Sequence, residues 1–233
     1  MASLFDEETA SELRRIFAGL RKSLRDVLVL DSTSSPGSSG KCNTCPEAKQ
    51  LVEELSAISN GKISFEILDF HSARHLKPRY VPAFIYDTVR RNVRYYGLPS
   101  GQEFAPFIYV HEYISEGVRI DKHTVEEVES IETPMHIKVF VTPECPYCPI
   151  VSDFMNQVGI VNSNLIVETI EAFEHPYEAD KYRVMYVPYV AITRVEDYDV
   201  YGATPVEVVP GYLPPEELLE VLKRAARKLK KTT

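Results

Sequence analysis

The sequence predicts an α/β protein built from two tandem units, each with a central mixed β-sheet flanked by helices. The first observation behind this prediction is a Cys-x-x-Cys-Pro motif that occurs twice, starting at Cys42 and at Cys145, 103 positions apart. The second is that similar features flank both motifs in the same order, as an internal duplication produces. The length of 233 residues is enough for two domains of ordinary size.

The repeated features predict the strands of each unit. They are an apolar strand candidate before the cysteines, an alternating or apolar segment after them, a Tyr-Val-Pro that opens a further strand, and a glycine and proline stretch before a helix. Their positions are 26–30 and 136–141, 63–70 and 165–172, 80–84 and 186–190, and 97–104 and 211–218. Short apolar or alternating runs of this kind are typical of strands. The shared order predicts a duplication with units at 1–118 and 119–233.

Helices are predicted on both sides of these strands. Apolar residues at helical spacing and start signals predict helices over 6–24, 50–58, 101–117 and 150–158, and from Pro214 onward. Ser100 with Glu103, and Thr124 with Glu127, have the spacing of a capping box, in which side chains satisfy the first amides of a helix. Each unit is therefore expected to run helix, strand, cysteine turn, helix, strand, loop, strand, strand, helix.

The acidic balance of the chain argues against some classes of partner. A net charge of -8 and an isoelectric point near 5.4 disfavour nucleic acid or an anionic membrane. No apolar run approaches the roughly 18 residues that a membrane span needs, and the acidic start MASLFDEETA does not resemble a signal peptide. We therefore expect a cytoplasmic protein. The lack of Trp and the abundance of Pro and charged residues are typical of a thermophile, in which intracellular disulfides also occur.

Two other chemistries compete for the cysteine segments. Gly37, Gly40 and Lys41 resemble part of a phosphate-binding loop, but Ser35 stands where the first glycine of that motif belongs and Cys42 follows the lysine. Four thiolates could also bind zinc in a tetrahedral site. Zinc would require the two repeats to converge on one point, whereas a redox dithiol works within each repeat. Redox chemistry is therefore favoured, and zinc remains the alternative.

A redox dithiol has a physical basis at such a motif. A Cys-x-x-Cys at a strand-to-helix turn places the first sulfur at a helix N-terminus, where amides and the helix dipole stabilise a thiolate. The second sulfur lies one turn further, close enough to close a disulfide. Pro146 suits the first turn of that helix. The candidate catalytic residues are therefore Cys42, Cys45, Cys145 and Cys148.

A proline completes each candidate site. Pro82 and Pro188 follow the first cysteines of their units by 40 and 43 residues, each inside a Tyr-Val-Pro at the start of a strand. A cis bond after Val81 and after Val187 would turn the valine N–H and C=O toward the thiols, where a substrate strand could pair with them. We expect these four residues to bind substrate, and we expect no metal ligands.

These residues resemble the thioredoxin superfamily, in which a Cys-x-x-Cys at a helix start is followed by a cis-proline before a strand. Cys-Pro-Tyr-Cys at 145–148 resembles the glutaredoxin motif. Two such units resemble the protein disulfide oxidoreductases of thermophilic archaea and bacteria, which are related in function to protein disulfide isomerase. The resemblance implies two thioredoxin-like folds, thiol–disulfide exchange on protein substrates, no cofactor, and a thioredoxin reductase-like flavoprotein as electron donor. The loop 32–41 departs from the pattern by its length.

The resulting hypothesis gives each sulfur a role. Cys145 attacks a substrate disulfide, Cys148 resolves the mixed disulfide, and the first pair repeats these roles. The second site is expected to be the stronger redox site, because its loop is shorter and its motif is the better match to the superfamily. Thioredoxins often bury an acid near the thiols, but Asp31 aligns with Val141, so no such acid is identified. The six histidines show no ligand spacing and are expected at surface or satisfied polar positions. An electron relay from a flavoprotein reductase to a peroxidase remains the alternative function.

Overall fold

The computed structural model describes residues 3–31, 42–198, 200 and 202–231. The described first half contains α1 (Glu7–Gly19), β1 (Leu24–Leu30), α2 (Cys45–Ile58), β2 (Ile63–Asp69), β3 (Ala83–Ile85), β4 (Val93–Tyr96) and α3 (Phe104–Glu116). The second half contains α4 (Lys122–Glu129), β5 (Met135–Val141), α5 (Cys148–Val161), β6 (Leu165–Glu171), α6 (Pro176–Lys181), β7 (Tyr189–Arg194), β8 (Glu207–Pro210) and α7 (Pro215–Lys230). The predicted order of helices and strands is confirmed in the first half. In the second half it is confirmed except that α6 lies where a loop is predicted between β6 and β7. The helices predicted over 50–58 and 150–158 start earlier, at the second cysteine of each motif.

The first helix is shorter than predicted. α1 ends at Gly19 rather than at residue 24, and Asp6 caps its start by accepting the amide of Thr9 at 2.8 Å. β1 begins at Leu24, which is buried and lies opposite Ile63 of β2. Strand pairing with a buried neighbour outweighs the helical pattern of the residues before it.

Neither predicted capping box forms. Asp121 caps α4 instead of Thr124, because its Oδ1 accepts the Thr124 amide at 3.1 Å. The carboxylate of Asp121 satisfies an amide of the first turn, and Thr124 therefore lies inside the helix. Ser100 makes no side-chain cap bond, and Glu103 turns into the interior, with 1% of its surface exposed. The helix predicted over 101–117 consequently begins with a short 3-10 turn before α3.

The strands of both halves form one continuous sheet in the order β2-β1-β3-β4-β6-β5-β7-β8. Each half contributes a mixed four-stranded sheet, as predicted, because its central strand has one parallel and one antiparallel neighbour. β4 and β6 join the halves as parallel strands, with Val93 opposite Val167 and Tyr96 opposite Ile170. The sequence does not predict this join, since no local pattern marks an edge strand as paired.

Alternate strand residues point into different layers of the core. On one face, Leu28 packs beneath α1, α2 and α3, and Val139 packs beneath α4, α5 and α7. The opposite face is shared, because Val29 of β1 and Phe140 of β5 belong to one cluster that also includes Ala179 of α6. The apolar core therefore crosses from one half to the other. In the described part of the chain, none of the helices combines the length and apolar character that crossing a membrane requires.

A buried network of ionisable side chains lies where the halves meet. Glu168 of β6 accepts hydrogen bonds from the hydroxyls of Tyr96 (3.0 Å) and Tyr198 (2.9 Å), and its other oxygen lies 2.8 Å from Nε2 of His136. Burial opposes the charge of this carboxylate, but His136 and nearby cations hold the pKa of Glu168 below its usual range. Glu168 therefore stays ionised inside the protein and links strands of both halves.

We expect Glu168→Gln to lower the free energy of unfolding by about 3 to 5 kcal/mol, the usual cost of removing one partner from a buried charged group. Arg94 and Lys138 would stay buried, but the negative charge of Glu168 that interacts favourably with their positive charges would be absent. Urea unfolding followed by circular dichroism measures the change. The control is Glu132→Gln, which removes an exposed carboxylate 3.1 Å from Lys230 and should cost at most about 1 kcal/mol. Equal costs for the two variants would contradict a stabilising role for the network.

Candidate functional site

Each cysteine pair forms a disulfide at the start of a helix. The Cα atoms of Cys145 and Cys148 are 5.5 Å apart, and those of Cys42 and Cys45 are 5.3 Å apart. Both separations are ordinary for a disulfide. Since the second cysteine of each pair is the first residue of α5 or α2, the outer sulfur precedes the helix and the inner sulfur begins it.

The second site directs a helix amide at its outer sulfur. The backbone N–H of Cys148 donates to Sγ of Cys145 at 3.1 Å. Cys145 keeps 8% of its surface exposed, whereas Cys148 is fully buried. A partner can therefore reach the outer sulfur first. The prediction for Pro146 is wrong: Pro149 lies in the first helical turn, because α5 begins only at the second cysteine.

The two dithiols lie at the same edge of the sheet. β1 and β5 run in the same direction, since two antiparallel and two parallel pairings separate them. Each cysteine pair follows the carboxyl end of its central strand, and Leu30 lines one hollow together with Cys42 and Cys45. The long loop predicted at 32–41 lies outside the described residues.

A cis peptide bond precedes each of the two prolines. Val81–Pro82 leads into β3, and Val187–Pro188 leads into β7. Val187 packs against the core cluster that contains both cysteines of the second site. Val81 packs instead against the cluster shared by the two halves, and the described contacts do not join it to the first cysteine pair. The structure thus brings the valine and the dithiol together most clearly in the second half.

A carboxyl from the first half lies against the helix of the second site. The amide of Gln102 donates to the carbonyl of Pro143 in the second cysteine turn, at 2.8 Å. Gly101 allows this approach, because a Cβ at that position would collide with the same carbonyl. Glu103, which follows Gln102 in the chain, consequently lies beside Ser152 of α5.

The carboxyl of Glu103 can exchange a proton near neutral pH. Among the described residues, neither of its oxygens has a hydrogen-bond donor in good geometry. Burial raises the pKa of Glu103 to about 7, the nearby hydroxyl of Ser152 lowers it in part, and the charge of Asp153 raises it. Ser152 lies one helical turn after Cys148 and on the same face of α5. Glu103 is therefore a buried acid beside the face of α5 that also carries the inner sulfur, and sequence reasoning missed it.

The alignment of Asp31 with Val141 is wrong. The central strands end at Leu30 and Val141, so Asp31 corresponds to Thr142. The longer stretch of sequence between the first central strand and its cysteines shifts the numbering. The only local sequence signal for Glu103 is an acidic residue at the start of an apolar helix. That signal fits a helix-capping role as well as it fits a buried acid near the thiols.

The first cysteine turn is attached to the second half. Thr44 stands at the N-cap of α2 but makes no cap bond, and its hydroxyl donates instead to Glu174. The other oxygen of Glu174 accepts the amide of Leu98 at 2.7 Å. The loop after β6 therefore contacts the turn that carries the first dithiol.

The zinc alternative requires four converging sulfurs. Each cysteine is instead bonded to the other cysteine of its own motif. Across residues 3–31, 42–198, 200 and 202–231, no group of three or more His, Cys, Asp or Glu could hold a metal ion. Two of the histidines occupy buried polar positions with a carboxylate partner, His111 at 2.7 Å from Asp26 and His136 at 2.8 Å from Glu168.

The chain is similar to thioredoxin-fold proteins over nearly its whole length. Residues 135–209 match the thioredoxin domain family. The protein disulfide oxidoreductase of Aeropyrum pernix superimposes with a TM-score of 0.78 and 25% identity, over 96% of this chain and 94% of that one. The structure of the alkylhydroperoxide reductase protein AhpF from Enterococcus faecalis gives a TM-score of 0.77 and 19% identity, over 94% of this chain and 99% of that one. The predicted tandem thioredoxin-like fold is confirmed.

The curated relatives are longer proteins. An NADH dehydrogenase of Bacillus subtilis is 25% identical over 156 residues, which cover 66% of this chain and 29% of the relative. The alkyl hydroperoxide reductase protein AhpF of Staphylococcus epidermidis is 25% identical over 181 residues. The match covers 74% of this chain and 33% of the relative. The chain spans about a third of the length of these relatives.

Proposed function

We propose that this chain, which has the tandem thioredoxin-like fold, is a protein disulfide oxidoreductase that exchanges thiols and disulfides with protein substrates at two Cys-x-x-Cys sites. The observation that carries the proposal is the second site, where a disulfide spans the start of α5 and the Cys148 amide lies 3.1 Å from Sγ of Cys145. An amide at a helix N-terminus stabilises a thiolate on that sulfur. The likeness to thioredoxin-fold oxidoreductases supports redox chemistry of this kind.

Cys145 is the attacking sulfur in this proposal. In the reduced protein its thiolate attacks one sulfur of a substrate disulfide, which forms a mixed disulfide and releases the other substrate sulfur as a thiolate. The partial exposure of Cys145 allows this contact. The substrate chain pairs with the backbone of Val187, next to Pro188.

Cys148 resolves the mixed disulfide. Its thiol loses a proton, its sulfur attacks Cys145, and the second substrate sulfur leaves as the Cys145–Cys148 bond forms. Because Cys148 is buried from solvent, the proton passes to the carboxylate of Glu103 by way of the hydroxyl of Ser152. In the reverse direction Glu103 returns the proton, and the oxidised pair gives its disulfide to two substrate thiols.

The first half repeats the same chemistry. Cys42 is the outer sulfur, Cys45 is the inner sulfur at the start of α2, and Val81 with Pro82 occupies the substrate-binding position. We assign the two catalytic units to 1–118 and 119–233, with the boundary in the connection between α3 and α4. A thioredoxin reductase-like flavoprotein in the cytoplasm is the proposed electron donor.

An electron relay is the second candidate function. The observation that favours it is the similarity to the AhpF protein of alkyl hydroperoxide reductase, which covers 74% of this chain. As a relay, the dithiols would carry electrons from a flavoprotein to a peroxidase instead of acting on many protein substrates. Both functions use the same sulfurs, so the choice of substrate separates them.

We expect each cysteine pair to equilibrate with glutathione at about -200 to -230 mV, the range of glutaredoxins. The glutaredoxin-like motif and the absence of His between the cysteines are the basis of this value. The measurement uses the two double variants Cys42→Ser/Cys45→Ser and Cys145→Ser/Cys148→Ser, each of which retains one pair. Potentials below about -300 mV for both pairs are those of structural disulfides and would contradict the proposal.

Refolding of an enzyme with scrambled disulfides separates the two functions. The wild-type chain should accelerate recovery of that enzyme, because a reduced pair can open incorrect disulfides and a second exchange can close correct ones. The quadruple cysteine variant is the blank. Rapid exchange with glutathione but no acceleration of refolding would favour the relay.

A further inference from the structure

A carboxylate of the second half lies against the first cysteine turn. Thr44 is the third residue of the first motif, and its hydroxyl donates to one oxygen of Glu174. The other oxygen of Glu174 accepts the amide of Leu98 at 2.7 Å. Hydrogen bonds to both oxygens favour the charged form of a carboxylate. A negative charge from one half is thus placed beside the dithiol of the other half.

The loop that carries Glu174 is fixed in place. The N–H groups of Phe173 and Glu174 donate to the two oxygens of Glu171, at 3.1 and 2.7 Å. Glu171 ends β6 and has only 3% of its surface exposed. A Cβ on Gly97 of the first half would lie 2.7 Å from Cβ of Glu171 and 3.1 Å from Oε1 of Glu174. The glycine therefore lets the loop come close enough for Glu174 to reach Thr44.

The corresponding position of the second motif has different surroundings. Tyr147 is the third residue of that motif, as Thr44 is of the first. Its side chain is 55% exposed, and its ring packs on the ring of Tyr212 at a centroid distance of 5.2 Å. The amide of Cys148 donates to Sγ of Cys145 in this turn. The outer sulfur of the second site therefore faces an amide donor, whereas the turn of the first site faces a carboxylate.

A carboxylate beside a dithiol changes its redox equilibrium. Reduction of a disulfide produces two thiols, and the outer one is stabilised when it ionises at a helix start. A nearby negative charge opposes this ionisation, so it destabilises the dithiol relative to the disulfide. A destabilised dithiol is the stronger reductant, because it gives up its electrons more readily as the disulfide forms again.

We propose that Glu174 is a positioning residue that makes the first cysteine pair more reducing than the second. Its carboxylate holds the first turn through Thr44 and disfavours a thiolate on Cys42. In an exchange between the two pairs, a disulfide forms at the first site as the disulfide of the second site opens, and two electrons and two protons pass to the second pair. This inference rests on the proposed disulfide exchange and gives the two sites an order.

The test measures the glutathione equilibrium of the Cys145→Ser/Cys148→Ser variant, which retains only the first pair, with and without Glu174→Gln. The glutamine keeps the size of the side chain and can still accept the Thr44 hydroxyl, so the substitution removes mainly the charge. We expect the equilibrium to shift about tenfold toward the dithiol, which corresponds to a potential about 30 mV less negative. Iodoacetamide should also alkylate reduced Cys42 faster at neutral pH, because a larger fraction of it is thiolate.

Two controls separate a local effect of Glu174 from a general one. In the Cys42→Ser/Cys45→Ser variant, which retains only the second pair, Glu174→Gln should change the equilibrium by about twofold at most, because solvent and salt weaken the effect of more distant charges. Glu132→Gln removes a carboxylate that is 81% exposed and precedes the opposite end of β5. It should leave the equilibrium of the first pair unchanged.

A second variant keeps the carboxylate but loosens its attachment. Thr44→Val removes the hydroxyl that holds Glu174 at the turn. It should shift the equilibrium of the first pair in the same direction as Glu174→Gln but by less. A larger shift in Thr44→Val would show that the hydrogen bond, and not the charge, sets the potential, and would overturn the inference. Circular dichroism verifies that both variants fold.

Several other results would overturn the inference. An unchanged equilibrium of the first pair in Glu174→Gln would do so, as would a shift toward the disulfide or an equal shift of both pairs. If Glu174 only joined the halves, urea unfolding would show a lower stability while the potential stayed the same. A first pair that does not exchange with glutathione at all would instead refute the proposed disulfide exchange at that site, a different result from exchange at an unchanged potential.

Discussion

Replacing Cys145 with serine should remove most of the disulfide reductase activity toward an insulin-like substrate, a loss of about tenfold or more, because a serine hydroxyl does not ionise near neutral pH as a thiol does. The buried Cys148 cannot take over the attack, since it has no exposed surface. The measurement is turbidity from the released insulin chain with dithiothreitol as reductant. The remaining activity reports the first site.

The matched control is Cys42→Ser, which removes the outer sulfur of the first site. It should retain most of the activity, because the second site has the shorter loop, the amide directed at its outer sulfur, and the neighbouring acid Glu103. Unchanged turnover in Cys145→Ser, together with a large loss in Cys42→Ser, would show that the first site dominates.

Glu103→Gln should slow the resolving step on the order of a hundredfold, the lower end of what a positioned proton acceptor contributes. The glutamine keeps the size of the side chain but cannot accept the proton that Cys148 must lose. We therefore expect the mixed disulfide with substrate to accumulate, and rapid acid quenching with mass spectrometry measures it. In the wild type the rate of resolution should rise as the pH passes through about 7, where Glu103 loses its proton, and the variant should lack this rise.

The same substitution should change how stability depends on pH. Burial raises the pKa of Glu103 to about 7 from a value of 4.5. Between these pH values the folded state holds a proton that the unfolded state has lost. The stabilisation is therefore complete below pH 4.5 and is lost as the pH rises through 7. The unfolding free energy of Glu103→Gln relative to wild type should increase by about 3 kcal/mol from about pH 4 to about pH 8.

A nearby carboxyl provides the control for both effects. Asp153 also lies close to Glu103, but it is hydrogen bonded to Tyr113 (2.7 Å) and Gln157 (2.8 Å). Asp153→Asn should preserve the rise in resolution rate near neutral pH, because Glu103 remains in place. If Asp153→Asn removed the pH dependence and Glu103→Gln did not, the proton acceptor would be Asp153.

The geometry of the candidate site was predictable where it depends on neighbouring residues in the chain. In a Cys-x-x-Cys motif a single helical turn brings the two sulfurs together. The Tyr-Val-Pro motif likewise indicates, from three consecutive residues, a proline just before a strand. The order of elements followed for a similar reason, since strand and helix patterns are local. The end of α1 at Gly19 was missed because the pairing of Leu24 with Ile63, distant in sequence, decides where the strand begins.

Other missing parts of the prediction involve contacts between the halves. Glu103 fits a helix cap in the sequence, and only the packing of its turn against Pro143 brings it to α5. Arg79 of the first half and Glu178 of the second are buried together, although each would be expected on a surface. Such pairs carry no local signal, because neither residue changes the periodicity of its own segment.

The join between β4 and β6 has a consequence for the history of the chain. Either half alone would expose a strand edge with unpaired backbone groups, the feature through which β-proteins aggregate. Loss of one copy after duplication would therefore harm the copy that remains. A requirement to keep that edge covered would retain both halves regardless of the chemistry of either dithiol.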